Sequence, residues 1–205
     1  MENREIDTKS DIAILPRSFY NRNTLAVAKE LLGKVLVKEV EGERLSGRIV
    51  EVEAYIGDGD PACHAFRGKT KRNAVMFGPP GYAYVYFTYG MHYCLNFVTE
   101  EEGKAGAVLI RALEPLEGVK WMEINRGMND IYNLCSGPAK LTQALLINKG
   151  DNGRSLFERD FFVSSEKSGG GFEMGISPRI GIRAGVELPW RFYIKGSRFL
   201  SRREK

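Results

Sequence analysis

The stretch Arg48-Ile49-Val50-Glu51-Val52-Glu53-Ala54-Tyr55-Ile56 alternates between apolar and polar side chains. In an extended chain successive side chains point to opposite faces, so Val50, Val52, Ala54 and Ile56 share one face and Glu51, Glu53 and Tyr55 the other. The pattern predicts a strand with one face in the core. Two carboxylates and a phenol in a row on the second face fit open solvent and the floor of a polar cleft equally well.

Working outward, Asn23 to Leu32 reads as a helix capped by Asn23 and ended by Gly33, and Lys34 to Val40 as a strand with Glu41-Gly42 as its turn. Residues 57–81 form a long connection rich in glycine and proline, which also carries His64 and the pair Met76-Phe77. Connections of that length are uncommon unless they serve function or are disordered. Tyr82 to Thr88 and His92 to Val98 predict a β-hairpin with Tyr89 and Met91 at its tip, and Tyr82, Tyr84 and Tyr86 share a side. Gly106 to Leu113 is a further strand, apolar except for Arg111 and ended by Pro115. Helices are expected over about Gly118 to Arg126 and over Pro138 to Ile147, the second capped by Ser136 with Pro138 in its first turn. Ser168 to Gly171 reads as a loop, and Ile180-Gly181-Ile182 and Trp190 to Ile194 as closing strands. The expected fold class is α+β: a single domain over residues 1–205 with a mainly antiparallel curved sheet, flanking helices and a protruding β-hairpin. Residues 1–14 and 198–205 are expected to be irregular.

The chain has 205 residues, 43% of them hydrophobic and 27% charged, which suits one sizeable core in a globular protein. No apolar run approaches the ~20 residues of a membrane span, and the N-terminus lacks the pattern of a signal peptide. An intracellular setting is expected. The formal charge of +4 permits nucleic-acid binding without indicating it. Its distribution is more informative, with Arg67, Lys69, Lys71 and Arg72 close together and Arg198, Arg202, Arg203 and Lys205 at the end. Cys63, Cys94 and Cys135 form no Cys-x-x-Cys pattern, and His64 and His92 have no metal-ligand spacing, so neither disulfides nor a metal is expected.

Taken singly, each polar residue has an ordinary reading. A strand glutamate is usually exposed, tyrosines on one face usually pack, and a loop histidine can be a bystander. Arg111 is harder to set aside, because a buried guanidinium needs a carboxylate or other acceptors. Together they match a chemical need. An enzyme that acts on a base takes it out of the duplex and stacks it between flat side chains. A side chain at a hairpin tip can fill the gap, and hydrolysis of the glycosidic bond needs a carboxylate to activate water.

Specific motifs stand in order along the chain. They are Gly47 to Tyr55, Met76-Phe77 through Pro80-Gly81, Tyr84-Val85-Tyr86 with Tyr89-Gly90-Met91, and Cys94 with Asn96. Arg111 to Gly118 follows, then Cys135-Ser136-Gly137-Pro138 with Lys140-Leu141 and Gln143-Ala144-Leu145. Together they resemble the alkyladenine (3-methyladenine) DNA glycosylase family, from about Leu15 to Gly196. The resemblance implies a monofunctional glycosylase of base excision repair that flips alkylated or deaminated purines and leaves an abasic site. By the same resemblance Glu53 is the general base and Arg111 helps hold the water. Tyr55 and His64 lie on one face of the flipped base and Tyr86 on the other. Asn96 rejects normal guanine, Tyr89 is the minor-groove wedge with Met76 close to the opposite strand, and Arg126 and Lys140 contact phosphates. The partner implied is double-stranded DNA containing damaged purines, bound by a monomer with no cofactor, no metal and no Schiff-base lysine. The setting implied is the bacterial cytoplasm, at the nucleoid.

Three positions depart from the family pattern: Val52, Cys63 and His92. A non-catalytic damaged-DNA-binding protein is the main alternative, and the intact Glu53 and Arg111 count against it. A zinc deaminase would need Pro-Cys-x-x-Cys, which is absent. A hydrolase of free nucleosides would not need Tyr89 at a hairpin tip.

Overall fold

The computed structural model describes residues 13–88, 90–167 and 170–202, apart from the side chains of 166 and 167. The helices are α1 (Arg17–Tyr20), α2 (Thr24–Leu31), α3 (Val119–Arg126), α4 (Ile131–Leu134) and α5 (Pro138–Ala144). The strands are β1 (Lys34–Val40), β2 (Glu43–Ile56), β3 (Ala83–Thr88), β4 (His92–Val98), β5 (Gly106–Glu117), β6 (Phe157–Glu158), β7 (Phe161–Lys167), β8 (Met174–Ser177) and β9 (Arg191–Ile194). They form one antiparallel sheet in the order β3-β4-β5-β2-β1-β7-β6, with β9 pairing both β2 and β8. The expected α+β class with a largely antiparallel sheet is what the chain adopts.

Alternation sorts the sheet into two faces. Val50, Val52, Ala54, Val85, Leu95, Phe97, Val108, Ile110 and Ala112 enter the main core, beside Val27, Ala28 and Leu31 of α2 and Leu141 and Ala144 of α5. The opposite face carries Tyr84, Tyr86, Cys94, Asn96, Leu109, Arg111 and Glu53. Register aligns these residues in rows. Tyr84 pairs with Asn96, Asn96 with Leu109, and Leu109 with Glu53. A smaller core joins Cys63, Ala65 and Met76 of the 57–81 connection to Tyr84, Val98, Ala105 and Ala107.

The β2–β5 register shifts between Ile49 and Glu51 and again between Glu51 and Val52. One extra residue on each strand, Val50 and then Arg111, offsets the other. Such bulges re-aim side chains near active sites.

Several local expectations need correction. Pro115 does not end its strand. It sits opposite Gly47 beside a register shift, where a ladder tolerates a missing N–H, and β5 continues to Glu117. Ser136 does not cap α5. Gly137 holds that position without a side-chain cap, and the Ser136 hydroxyl bonds to Asn133 Oδ1 at 3.4 Å instead. The α5 helix closes at Ala144 rather than Ile147. Ile180-Gly181-Ile182 is a loop, because Pro178 and Gly181, at φ +78°, break any ladder. β9 pairs β8 and β2 instead, and β6, β7 and β8 are strands that the sequence pattern does not predict. Asn23 does cap α2, accepting from the amides of Leu25 and Ala26. Residues 198–202 run through turns and bends, and they are tied to the site below.

Candidate active site

Glu53 is fully buried, and its carboxylate receives donors from three separate elements. Ile180 N–H donates to Oε1 at 2.7 Å, from the loop after β8. The Tyr55 hydroxyl donates to Oε2 at 2.8 Å, from two residues along β2. Arg111 Nη1 donates to Oε2 at 3.2 Å, from β5. A carboxylate offers about four acceptor positions, so one remains, on Oε1.

Arg111 is shared. Its Nε donates to Glu51 Oε1 at 3.0 Å, and its Nε and Nη2 reach Ser201 Oγ at 3.3 and 3.2 Å. Glu51, also fully buried, accepts from Arg191 Nε at 2.7 Å and from the amide and hydroxyl of Ser201 at 2.6 and 2.8 Å. Burial works against the Arg111 charge, and the Glu53 and Glu51 carboxylates outweigh it, holding the guanidinium above its ordinary pKa. The even spacing of Glu51 and Glu53 therefore reflects a buried charge network rather than a solvated face.

Above this network lies a cavity of about 500 Å³. Its lining includes Tyr55, His64, Met76, Tyr86, Cys94, Asn96, Arg111 and Ile180. Its lining also holds two cations, Arg111 and Arg183, beside the neutral rings. Burial pushes Tyr55 far above the ordinary phenol range, with the Glu53 charge adding to it, so Tyr55 remains a donor. Burial likewise raises Tyr86 and takes Tyr84 up to about 12. His64 is lowered by desolvation on its packed side and then by the Arg72 charge. Its Nδ1 shares a 3.0 Å hydrogen bond with Tyr84 Oη. Asn73 anchors the loop around it by donating to His64 O at 2.8 Å. Asn96 is buried, and its amide nitrogen donates to Tyr84 O at 3.1 Å.

Two expected placements change. The rings of His64 and Tyr86 meet edge to face with centroids 4.5 Å apart, too close to hold a base between them. They form one wall rather than two. Met76 is 2% exposed, turned inward by the short 3-10 helix Ala74–Phe77. It belongs to the cavity wall and is not displayed for contact with a DNA strand. The β3–β4 hairpin exists, with Met91 70% exposed beside its turn, and Tyr89 lies outside the described residues. Arg126 and Lys140 are half-buried and bonded within the protein, Arg126 to Gln143 and Lys140 to Asn133. The exposed basic cluster sits by the cavity, with Arg72 5.6 Å over the Tyr86 ring.

Glu51, Arg191, Ser201 and Ile180 were not singled out from the sequence. Ile180 acts through its backbone, so its side chain carried no signal. Arg191 lies within a strand that was predicted, and its place opposite Glu53 appears only with the β2–β9 register. Among the described residues no group of three or more histidine, cysteine, aspartate or glutamate side chains is placed to hold a metal ion. Nor is any helix among them long and apolar enough to cross a membrane.

Comparison with known proteins agrees with this chemistry. The sequence profile of the "Methylpurine-DNA glycosylase (MPG)" family matches residues 18–198. A protein of Carboxydothermus hydrogenoformans named "Putative 3-methyladenine DNA glycosylase" is 52% identical over 191 residues, covering 93% of this chain and all of the relative. Proteins of the same name from Chlorobaculum tepidum and Methanoculleus marisnigri are 50% and 52% identical. They cover 92% of this chain in each case, and 90% and 99% of their own lengths. A buried carboxylate with an arginine partner beneath an aromatic cavity suits hydrolysis of an N-glycosyl bond, and the chain belongs to the methylpurine-DNA glycosylase family of DNA repair hydrolases.

Proposed function

We propose that the cavity receives a damaged purine flipped out of duplex DNA, and that Glu53 deprotonates the water that displaces it. The observation that carries this reading is the threefold hold on Glu53 by Ile180, Tyr55 and Arg111, which leaves one acceptor position on Oε1. A water held there would lose its proton to Glu53 as its oxygen bonds to the anomeric carbon. The bond to the base breaks, giving an abasic site and free base. The developing positive charge on the sugar is favoured by the carboxylate.

The purine stacks between Tyr55 and the single wall of His64 and Tyr86. Electron-rich rings of neutral side chains suit a base made cationic by alkylation. Asn96, anchored by one amide N–H on Tyr84 O, gives the wall a fixed polar group that would crowd the exocyclic amine of normal guanine. Tyr89 fills the gap in the duplex from the hairpin tip. The basic cluster near Arg72, together with Arg126 and Lys140, meets phosphates. The enzyme acts as a monomer.

The test uses duplex oligonucleotides carrying 3-methyladenine, 7-methylguanine, hypoxanthine or ethenoadenine, with abasic sites cleaved by alkali. Wild-type protein should open at least one of these strands, and Glu53→Gln should bind the same DNA without opening it. Substantial base release by Glu53→Gln would sink the role given to Glu53. Binding without release by the wild-type chain would favour a damage-binding protein.

A further inference from the structure

Beside the carboxylate network lies a second buried ion pair. The side chains of Arg179 and Asp60 are both 0% exposed. Arg179 Nη1 and Nη2 donate to Asp60 Oδ2 and Oδ1 at 2.6 and 2.7 Å, a two-pronged contact. Nη1 also donates to Ala54 O at 3.0 Å. The guanidinium lies 4.6 Å from the Tyr55 ring centroid and 5.2 Å from that of Trp190. Asp60 in turn accepts from the amides of Ile56 at 3.3 Å and Ala62 at 3.1 Å.

A buried ion pair is by itself a poor source of stability, because desolvation offsets much of its attraction. Its placement therefore calls for a reason. Ala54 stands between Glu53 and Tyr55. Ala62 lines the cavity two residues before His64. Ile180, next to Arg179, gives its N–H to Glu53. The far end of the same loop also rests on the pair. Gly185 has φ +62°, and a Cβ there would lie 3.1 Å from Arg179 Nη2 and 3.4 Å from Asp60 Oδ1.

We propose that Arg179, paired with Asp60, is a positioning residue for base release. It holds the Ile180 amide on Glu53 and backs the Tyr55 ring, so that the carboxylate and the stacking wall keep one fixed relation. Only arginine serves both ends. Its planar fork matches the carboxylate, and its flat face covers an aromatic ring, whereas lysine offers a point charge. The inference rests on Glu53 as the base.

The experiment compares Arg179→Lys with Lys38→Met. The latter breaks a buried pair, Lys38 Nζ to Asp151 Oδ2 at 2.7 Å, between β1 and a residue outside the cavity wall. Base release is measured with enzyme in excess, at a temperature where circular dichroism shows each variant folded. Affinity for an abasic duplex and hydrogen exchange at the Ile180 amide are measured alongside. Arg179→Lys should slow release about tenfold or more, hold abasic-DNA affinity within about twofold and lose protection at Ile180. Lys38→Met should lose stability and release base at the wild-type rate. If Arg179→Lys does not fold, the isosteric Asp60→Asn replaces it, with the same loss expected. A wild-type rate in either folded site variant, or an equal loss in Lys38→Met, overturns the proposal. Glu53→Gln run in parallel separates the two ideas. Activity retained there removes the reading of Glu53, whereas an inactive Glu53→Gln beside a fully active Arg179→Lys removes only the positioning role.

Discussion

The Ile180 amide and the Glu53 carboxylate meet at 2.7 Å across 127 residues of chain. The contact joins a loop that belongs to no strand with the C-terminal part of β2. Because the donor is backbone, the effect of substitution depends on the N–H and not on the side chain. Ile180→Ala should keep base release near the wild-type rate. Ile180→Pro removes the N–H, and loss of a hydrogen bond to a charged group, at ~1.5–3 kcal/mol, should slow release by about 10- to 100-fold. Single-turnover kinetics on an alkylated duplex distinguishes the two. Equal rates would show that the contact does not act in the reaction.

Glu51 makes no contact with the cavity but holds two guanidiniums, those of Arg111 and Arg191. Glu51→Gln keeps the shape and removes the charge between them. Two cations then lie buried with one remaining carboxylate nearby, and breaking a buried pair costs about 3–5 kcal/mol. Urea unfolding should show a midpoint lowered accordingly, with little change in slope. A midpoint equal to wild type would mean that the network contributes nothing to stability.

Tyr55 has two roles that substitution can separate. Its ring is proposed to stack on the base and its hydroxyl donates to Glu53. Tyr55→Phe keeps the ring, so binding of lesion-bearing DNA should hold while base release slows. Tyr55→Leu removes the stacking face, and binding should weaken by about 1–3 kcal/mol, the usual worth of one base–aromatic contact. Equilibrium binding with a non-cleavable lesion analogue, set beside single-turnover rates, reads both effects.

His64 titrates below its ordinary value because its packed side is desolvated and Arg72 lies nearby. Its folded pKa is thus lower than its unfolded pKa of about 6.5, so below that pH the unfolded chain binds more protons. The contribution of His64 to stability is accordingly intact above about pH 6.5 and declines as pH falls below it. Arg72→Ala removes a like charge and should raise the His64 pKa toward the ordinary value. Proton NMR of the imidazole measures it directly, and an unchanged titration would remove Arg72 as a cause.

Period-two alternation in the sequence was enough to place Glu53 on the face opposite Val52 and Ala54 and to put Tyr84 and Tyr86 on one side, and its place in an otherwise apolar strand marked Arg111 as an ion-pair candidate. Those are local facts, since side-chain direction in a strand follows from the backbone alone. The motif order from Gly47 to Leu145 added the family. Tertiary structure decided which of two readings applied to the polar face of β2, because burial depends on what folds over it. Arg191, Ser201 and Ile180 arrive from β9, the residues after it and the loop after β8, and close a charge network over Glu51 and Glu53. It also decided that His64 and Tyr86 share a wall and that Met76 faces inward, since ring-to-ring distances and the turn of a 3-10 helix are set by packing between distant segments. Residue types along one strand name the chemistry available. Only long-range register and loop closure bring an acceptor, its donors and its stacking walls within hydrogen-bond reach.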